Sequence, residues 1–431
     1  MDIVVIGFVA LLILALAGVP LGYSMMAVGF VGFGLLRGLD PAVHMVGQQI
    51  LDLSTSISFS VLPLFILMGA LVVRAGLAEE LYSACNSWLG HMRGGLAIAT
   101  VASCGGFAAV SGSSVATAAT MAKVAIPSMR KFHYDDGLAA GTVAAGGTMG
   151  ILIPPSAALI IYGVLIEEDI AKLFMGGIIP GLITVLLYAL VIYLVAIIRP
   201  DWAPRGERAV WAERFQSLSK VWAVVVLFLL ILGGIFFGVF TPTEAGGIGA
   251  VGALVFATAR RRMSWRKLGE SLLEAGQTTA QIFFVAFGAL VLNQFLNFAG
   301  LPDAILKLLG SFDATPIAAI IIIFGFYIVL GMFVEGISMI FLTVPIFAPV
   351  VQALGFDLVW FGVVVVMVVE ISLITPPIGL NVFVLKSMLP DVPLSSIYRG
   401  IMPFFVADIV RLLLVLFFPP IVLFLPQLMG P

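Results

Sequence analysis

The 431-residue chain is 61% hydrophobic and only 10% charged, with a mean hydropathy of +1.19 and a formal net charge of −2. A soluble globular domain is nearer half apolar and a quarter charged, so composition excludes a soluble domain on a single anchor, and the near-zero charge offers nothing to a nucleic acid. Apolar runs of about 20 residues, the length a helix needs to cross a bilayer, recur from end to end; the alternation of a β-barrel does not, and Cys85 and Cys104 are too few for a disulfide framework or a metal cluster.

In chain order, membrane spans are expected near 3–17, 20–36, 59–75, 138–166, 173–198, 221–240, 244–259, 280–299, 358–385 and 400–425. The first follows an acidic residue with no basic leader, so it reads as a retained span and not a cleaved signal. Segments 41–57 and 263–279 are amphipathic and read as interfacial helices. Two further apolar stretches, 95–129 and 314–356, are interrupted. If Ser87–Arg93 faces the cytoplasm, alternation gathers sixteen Lys and Arg in 74–94, 130–137, 199–220, 260–270 and 386–399, and leaves only Arg37, Lys172 and Lys307 opposite. That bias follows the positive-inside rule and places both termini outside.

The prolines reveal a repeat. Pro20 and Pro242, Pro127 and Pro349, Pro154 and Pro376, and Pro155 and Pro377 are each 222 positions apart. Residues 1–220 and 221–431 thus read as two copies of one plan. Each holds five full spans, an odd number, so the second copy enters the membrane upside down, as in many secondary transporters.

The stretch 95–129 would be about 50 Å long as one helix, too long for the bilayer core, and both of its flanks are basic. Its middle, CGGFAAVSGSS, is rich in turn formers, so it reads as a re-entrant hairpin; a tightly packed pair of small-residue helices is the alternative. The stretch 314–356, with GMFVEGIS, reads as a second hairpin from the opposite side, although two full spans fit its charges equally well. Next to each hairpin lies a Pro-Pro pair, in GILIPPSAALIIYG and in EISLITPPIGLNVF. Proline removes an amide and frees a carbonyl one turn back, which a hard cation can satisfy, while the half-helix after the break offers amides to a carboxylate. Ile153-Pro154-Pro155-Ser156 and Thr375-Pro376-Pro377-Ile378-Gly379 are therefore candidate cation sites with substrate between them. A simple kink is the bland alternative. Glu335, Glu370, Lys123 and Arg411 are charges within apolar segments; each carboxylate needs a partner, a cation or a proton. Lys123 could steer an anion or snorkel to the inner surface, and Arg411 has no evident partner. Glu244 beside Thr241-Pro242 reads as a helix cap.

Together these motifs resemble the large membrane subunit of tripartite ATP-independent periplasmic (TRAP) transporters, within a broader ion-transporter superfamily that shares the hairpin plan. The resemblance covers essentially the whole chain. It implies an all-α polytopic membrane protein of about ten transmembrane helices plus two re-entrant hairpins, working as an elevator against a scaffold. It further implies Na⁺-coupled uptake of an organic anion, a C4-dicarboxylate by default. The implied partners are a separate small four-helix membrane subunit and a periplasmic substrate-binding protein, and the implied location is the bacterial inner membrane. By motif match, about two transported Na⁺ would sit on Ser103, Gly105, Gly112, Gly150, Ile153 and Pro154, and on Gly331, Glu335, Gly336, Ser338, Thr375, Pro376 and Gly379. Substrate would meet Ser111, Ser113, Ser114, Ser156, Thr375 and Asn381. No phosphate-binding loop of an ATPase is present. The rivals are a carrier of the same superfamily that works without a binding protein, an intramembrane serine hydrolase using Ser113 or Ser114, and a channel. The hydrolase would need a base, and His44, His91 and His133 all fall near membrane edges.

Overall fold

The structure is a computed structural model that describes residues 2–311 and 315–429; position 314, where the second interrupted stretch was taken to begin, lies outside the described residues. The first half runs α1 (Asp2–Leu16), α2 (Leu21–Arg37), α3 (Leu39–Thr55), a 3₁₀ turn (Ile57–Ser60), α4 (Val61–Arg74), α5 (Leu77–Leu89), α6 (Gly95–Ser111), α7 (Ser114–Lys131), α8 (Asp136–Thr148), a 3₁₀ turn (Met149–Ile151), α9 (Ala157–Ile166) and α10 (Ile170–Ile198). The second half runs α11 (Trp211–Phe236), α12 (Pro242–Ala259), α13 (Trp265–Phe298), α14 (Leu301–Ser311), α15 (Pro316–Gly331), α16 (Gly336–Ala353), α17 (Leu358–Ser372), α18 (Leu380–Met388), α19 (Leu394–Phe417) and α20 (Pro420–Leu428). There is no strand among the described residues.

The proline spacing extends to the helices themselves. α7 and α16 start 222 positions apart, as do α8 and α17; α2 and α12, α5 and α14, α6 and α15, α9 and α18, and α10 and α19 keep that spacing to within two residues. Both Pro-Pro bonds are cis.

Three segments differ from the sequence reading. Residues 263–279 and 280–299 are one continuous helix, α13, where the first half breaks between α3 and α4. Pro63 sits in the first turn of α4, where its missing amide leaves no bond unmade; the position 222 residues on is Val285, whose amide continues the ladder. Residues 77–89, taken as part of a loop, form α5, and α14 is its counterpart. Both are too short to cross a bilayer. α5 has Glu79 and Glu80 in its first turn and buries Leu77, Leu81, Tyr82 and Ala84 on one face. Finally, 400–425 is interrupted at Phe418-Pro419, where proline ends α19 and α20 begins.

The five basic segments meet at one end of the molecule. Arg74 pairs with Glu270 and Glu274, and Arg260 and Arg262 with Glu80. The Gly206 amide donates to the Gly90 carbonyl and the Asp135 amide to that of Trp202. Arg130 bridges Asp136 and Asp391, and its hydrogen bond holds the Asp391 carboxyl below the ordinary range. Segments placed on one side by charge counting therefore touch one another.

Two groups of helices emerge from the packing. α2, α4, α12 and α13 form one; α6 to α10 and α15 to α20 form the other, with elements of both halves interleaved: α19 lies on α8, α18 on α7 and α16 on α9. Glycine permits the closest approaches. A Cβ at Gly400 would fall 1.8 Å from the Gly137 carbonyl oxygen, and one at Gly141 2.4 Å from that of Gly400, so a Gly137-x-x-x-Gly141 face receives α19 backbone to backbone.

Candidate functional site

The stretch 95–129 is a helical hairpin whose corner is two residues. Gly112 adopts φ +62°, which the turn requires of a residue without a Cβ, and Ser113 caps α7, its Oγ accepting from the Ala116 amide at 3.3 Å. Ser111 and Thr117 share a hydroxyl hydrogen bond of 2.6 Å across the corner. This tip rests on the first break: a Cβ at Gly150 would lie 2.6 Å from the Ser113 carbonyl oxygen, and one at Gly112 3.5 Å from that of Pro155. The second stretch folds likewise. α15 and α16 are joined by Met332 to Glu335, and a Cβ at Gly331 would lie 2.1 Å from Ser372 Oγ at the end of α17. Gly336 faces Val369, and Gly379, at φ +61°, turns the chain from the second break into α18.

All four pieces line one cavity of about 50 Å³. Gly112, Ser113, Ser114 and Val115 come from the first tip, Ile151 and Ala158 from the first break, Glu335, Gly336 and Ile337 from the second tip, and Leu373 and Leu380 from the second break. A larger cleft of about 160 Å³ adjoins it, with Ser111, Gly112, Ser113, Pro155 and Ala157 on one wall and α4 with Glu274, Thr278 and Ile282 of α13 on the other. The N-termini of α7 and α9 open onto this cleft, capped only by the neutral hydroxyls of Ser113 and Ser156.

The individual residues are placed as follows. Ser111 and Ser113 are half-buried at the tip and Ser114 is buried beside them. Ser156 is buried; its hydroxyl donates to the Ile151 carbonyl and accepts from the Leu159 amide, so it builds the break and does not project into the cavity. Thr375 donates to the Ile371 carbonyl at 2.6 Å. Asn381 is buried, donates from Nδ2 to the Ala144 carbonyl of α8 at 3.3 Å, and has an unpartnered Oδ1. Pro154 is buried and Ile153 half-buried, whereas Pro376 is exposed and Tyr398 donates to the carbonyls of Pro377 and Ile378.

Of the remaining residues, the charged ones need correction. Ser103 and Gly105 lie inside α6, about two turns from the tip; Ser103 donates to the Ala99 and Thr100 carbonyls of its own helix, and Gly105 faces Val185 and Ile153. Glu335 is not a buried charge. It is exposed, and its carboxylate caps α16, accepting from the Ile337 and Ser338 amides at 3.1 and 3.0 Å and from the Ser338 hydroxyl. Lys123 is exposed on α7, the ordinary outcome for a long cationic side chain that can reach water. Arg411 does have partners: Glu370, 2.9 Å away, Thr184, and Asp408, which sequence reading passed over. The available signal was Asp408-x-x-Arg411, opposite charges three apart on one apolar helix. Glu244 caps α12 as expected, in a reciprocal box with Thr241.

Two interrupted helices and two hairpin tips around one cavity, in an apolar all-helical chain, define a membrane transporter by site as well as by fold. The comparisons narrow this. Residues 8–421 match the family model described as "Tripartite ATP-independent periplasmic transporter, DctM component". The chain is 35% identical over 390 residues to the C4-dicarboxylate TRAP transporter large permease protein DctM of Pseudomonas aeruginosa, covering 90% of this chain and 91% of that one. It is 34% identical over 422 residues to the ectoine/5-hydroxyectoine TRAP transporter large permease protein UehC of Ruegeria pomeroyi, covering 98% of each. Among solved structures it resembles the Alcanivorax borkumensis YdaH transporter, with a TM-score of 0.62, 13% identity and 88% of each chain covered, a likeness of fold alone. The chain belongs to the TRAP transporter large permease family. It is a multi-pass membrane transporter subunit of a tripartite system, and not an enzyme; the hydrolase alternative falls on that ground.

Proposed function

We propose that the chain is the membrane carrier of a Na⁺-coupled uptake system for an organic anion, in the first instance a C4-dicarboxylate, as named for the Pseudomonas relative. The supporting observation is the convergence of both tips and both breaks on one cavity. Two Na⁺ would bind where the breaks free backbone carbonyls, beside Gly150–Pro154 and Thr375–Gly379, with the Asn381 Oδ1 as a further acceptor. The two halves differ in a way that orders the ligands. In the second half the α16 N-terminus is already neutralised by Glu335. In the first half the N-termini of α7 and α9 are free of a carboxylate, so the substrate's carboxylate belongs there, in the cleft beside Ser111 and Ser113.

Only a carrier whose Na⁺ and anion charges offset one another crosses the bilayer cheaply. The group of α6 to α10 and α15 to α20 would then move as an elevator against the group of α2, α4, α12 and α13, with the second half inverted relative to the first. A small four-helix subunit would enlarge that scaffold, and a periplasmic binding protein would deliver substrate to the outer face of the inner membrane, where both termini would lie. The test is uptake of radiolabelled C4-dicarboxylate into proteoliposomes holding this chain, its small subunit and its binding protein. Accumulation is expected with an inward Na⁺ gradient and none with K⁺ in its place. Equal uptake in both overturns the coupling, and full uptake by this chain alone favours a carrier independent of a binding protein.

A further inference from the structure

Away from the cavity, five side chains form a closed polar cluster: Glu370 on α17, Asp408 and Arg411 on α19, and Tyr188 and Thr184 on α10, all fully buried. Arg411 Nη1 lies 2.9 Å from Glu370 Oε2 and donates to Thr184 Oγ1 at 2.5 Å; its Nη2 lies 3.1 Å from Asp408 Oδ1. Tyr188 donates to Asp408 Oδ2 at 2.8 Å. The cluster thus has two carboxyl groups and one guanidinium, which keeps its proton in proteins. With both carboxylates ionised, it would carry an uncompensated negative charge in the dry interior, a costly arrangement.

Among the described residues, no other cation is at hand. The helices packed against α17 are α9, α10, α15, α16, α19 and α20. Beyond the cluster their only charged residues are Lys172, twelve positions from Thr184 on α10, and Arg399, nine positions from Asp408 on α19, about 18 Å and about 13 Å at the helical rise. α8 and α18, which pack on α19, bring Asp136 and Lys386. Asp136 is held by Arg130, and Lys386 by the carbonyls of Pro390 and Val392. Neither the cavity at the tips nor the cleft is lined by a member of the cluster. The two carboxyls are also unequal. Asp408 accepts a hydrogen bond from Tyr188 at Oδ2 and pairs with Arg411 at Oδ1, whereas Glu370 pairs with Arg411 through Oε2 alone and neither of its buried oxygens accepts a hydrogen bond.

We propose that Glu370 is a resident proton-binding site: one proton is held on its carboxyl, Asp408 stays ionised between Arg411 and Tyr188, and the cluster is electrically neutral. The proton is held and not transported, since the cluster touches neither the cavity nor the cleft. Glutamine is the neutral isostere of a protonated glutamate, so Glu370→Gln reproduces the native charge, whereas Asp408→Asn is neutral only if Glu370 gives up its proton and faces Arg411 as a carboxylate. The experiment compares the purified full chain with both variants by thermal unfolding and by infrared difference spectroscopy. Glu370→Gln is expected to melt with wild type and to lack one protonated-carboxyl carbonyl band that wild type shows. Asp408→Asn is expected to melt several degrees lower and to lose the band as well, because its Glu370 ionises against Arg411. A wild-type spectrum without the band, or a Glu370→Gln chain that melts as low as Asp408→Asn or does not fold, overturns the proposal; a sodium ion held by an ionised Glu370 would give that result. Neither readout involves transport, so failure here and failure of the uptake reading are distinguishable.

Discussion

Gly400→Ala is expected to destabilise the chain by about 3 kcal/mol or more, the upper range for an overpacked interior. The new methyl would lie 1.8 Å from the Gly137 carbonyl oxygen, and its other close neighbours are backbone atoms, at 2.3 Å (Gly137 C) and 2.9 Å (Leu138 N). A flexible side chain could swing away; backbone cannot, so α8 and α19 must part. These helices come from different halves of the sequence, and their separation would loosen the whole group that carries the breaks. Thermal unfolding in detergent checks this. A Gly247→Ala control, at a glycine with open space around it, should leave the melting temperature unchanged. Equal melting of Gly400→Ala and the control would mean that α8 and α19 are farther apart than described.

Gly150→Ala is expected to spare the fold and weaken the Na⁺ dependence of transport. Its methyl would meet the Ser113 carbonyl oxygen at 2.6 Å and Thr117 Oγ1 at 2.9 Å, both at the first hairpin's corner. A two-residue corner can yield where a helix pair cannot, so the strain displaces the tip from the break. If the tip and the break together hold a Na⁺, its affinity should weaken roughly tenfold or more, about 1.4 kcal/mol per factor of ten. The Na⁺ dependence of uptake would read this as a right-shifted curve at a near-native melting temperature. An unshifted curve would detach the tip from the ion site.

Much of the architecture was legible because proline and glycine punctuate an otherwise uniform apolar chain. The four proline pairs gave the 222-residue period before any helix was placed, and that period recurs in the starts of α7 and α16 and of α8 and α17. The first hairpin's turn was visible as turn chemistry, but spread over 104–114, where the corner is Gly112-Ser113 and the residues before it are helical. α5 and α14 were not visible as separate helices, because hydropathy detects length and neither is long enough to span. The continuity of α13 turned on a single difference, Pro63 against Val285.

At the site, residue type alone could not separate hydroxyls that face the cavity from those that build the backbone around it. Ser156, Thr375 and Ser103 bond to carbonyls of their own segments, while Ser111 and Ser113 line the cleft. Glu335 was legible as an acid in the hairpin, but its part as a helix cap depends on where α16 begins. The buried cluster was half legible: Glu370 and Arg411 stood out as charges in apolar helices, and only the packing of α17 on α10 and α19 brings them together with Asp408 and Tyr188.

The central claim is that the two tips and the two breaks form one ion-binding unit. Its most direct test is equilibrium binding of ²²Na⁺ to the purified chain, beside Gly150→Ala at the first break and Gly331→Ala at the second hairpin. The account predicts saturable binding of two sodium ions that K⁺ does not displace, with each variant losing one of them. Binding that does not saturate, or that survives unchanged in both variants, would contradict it.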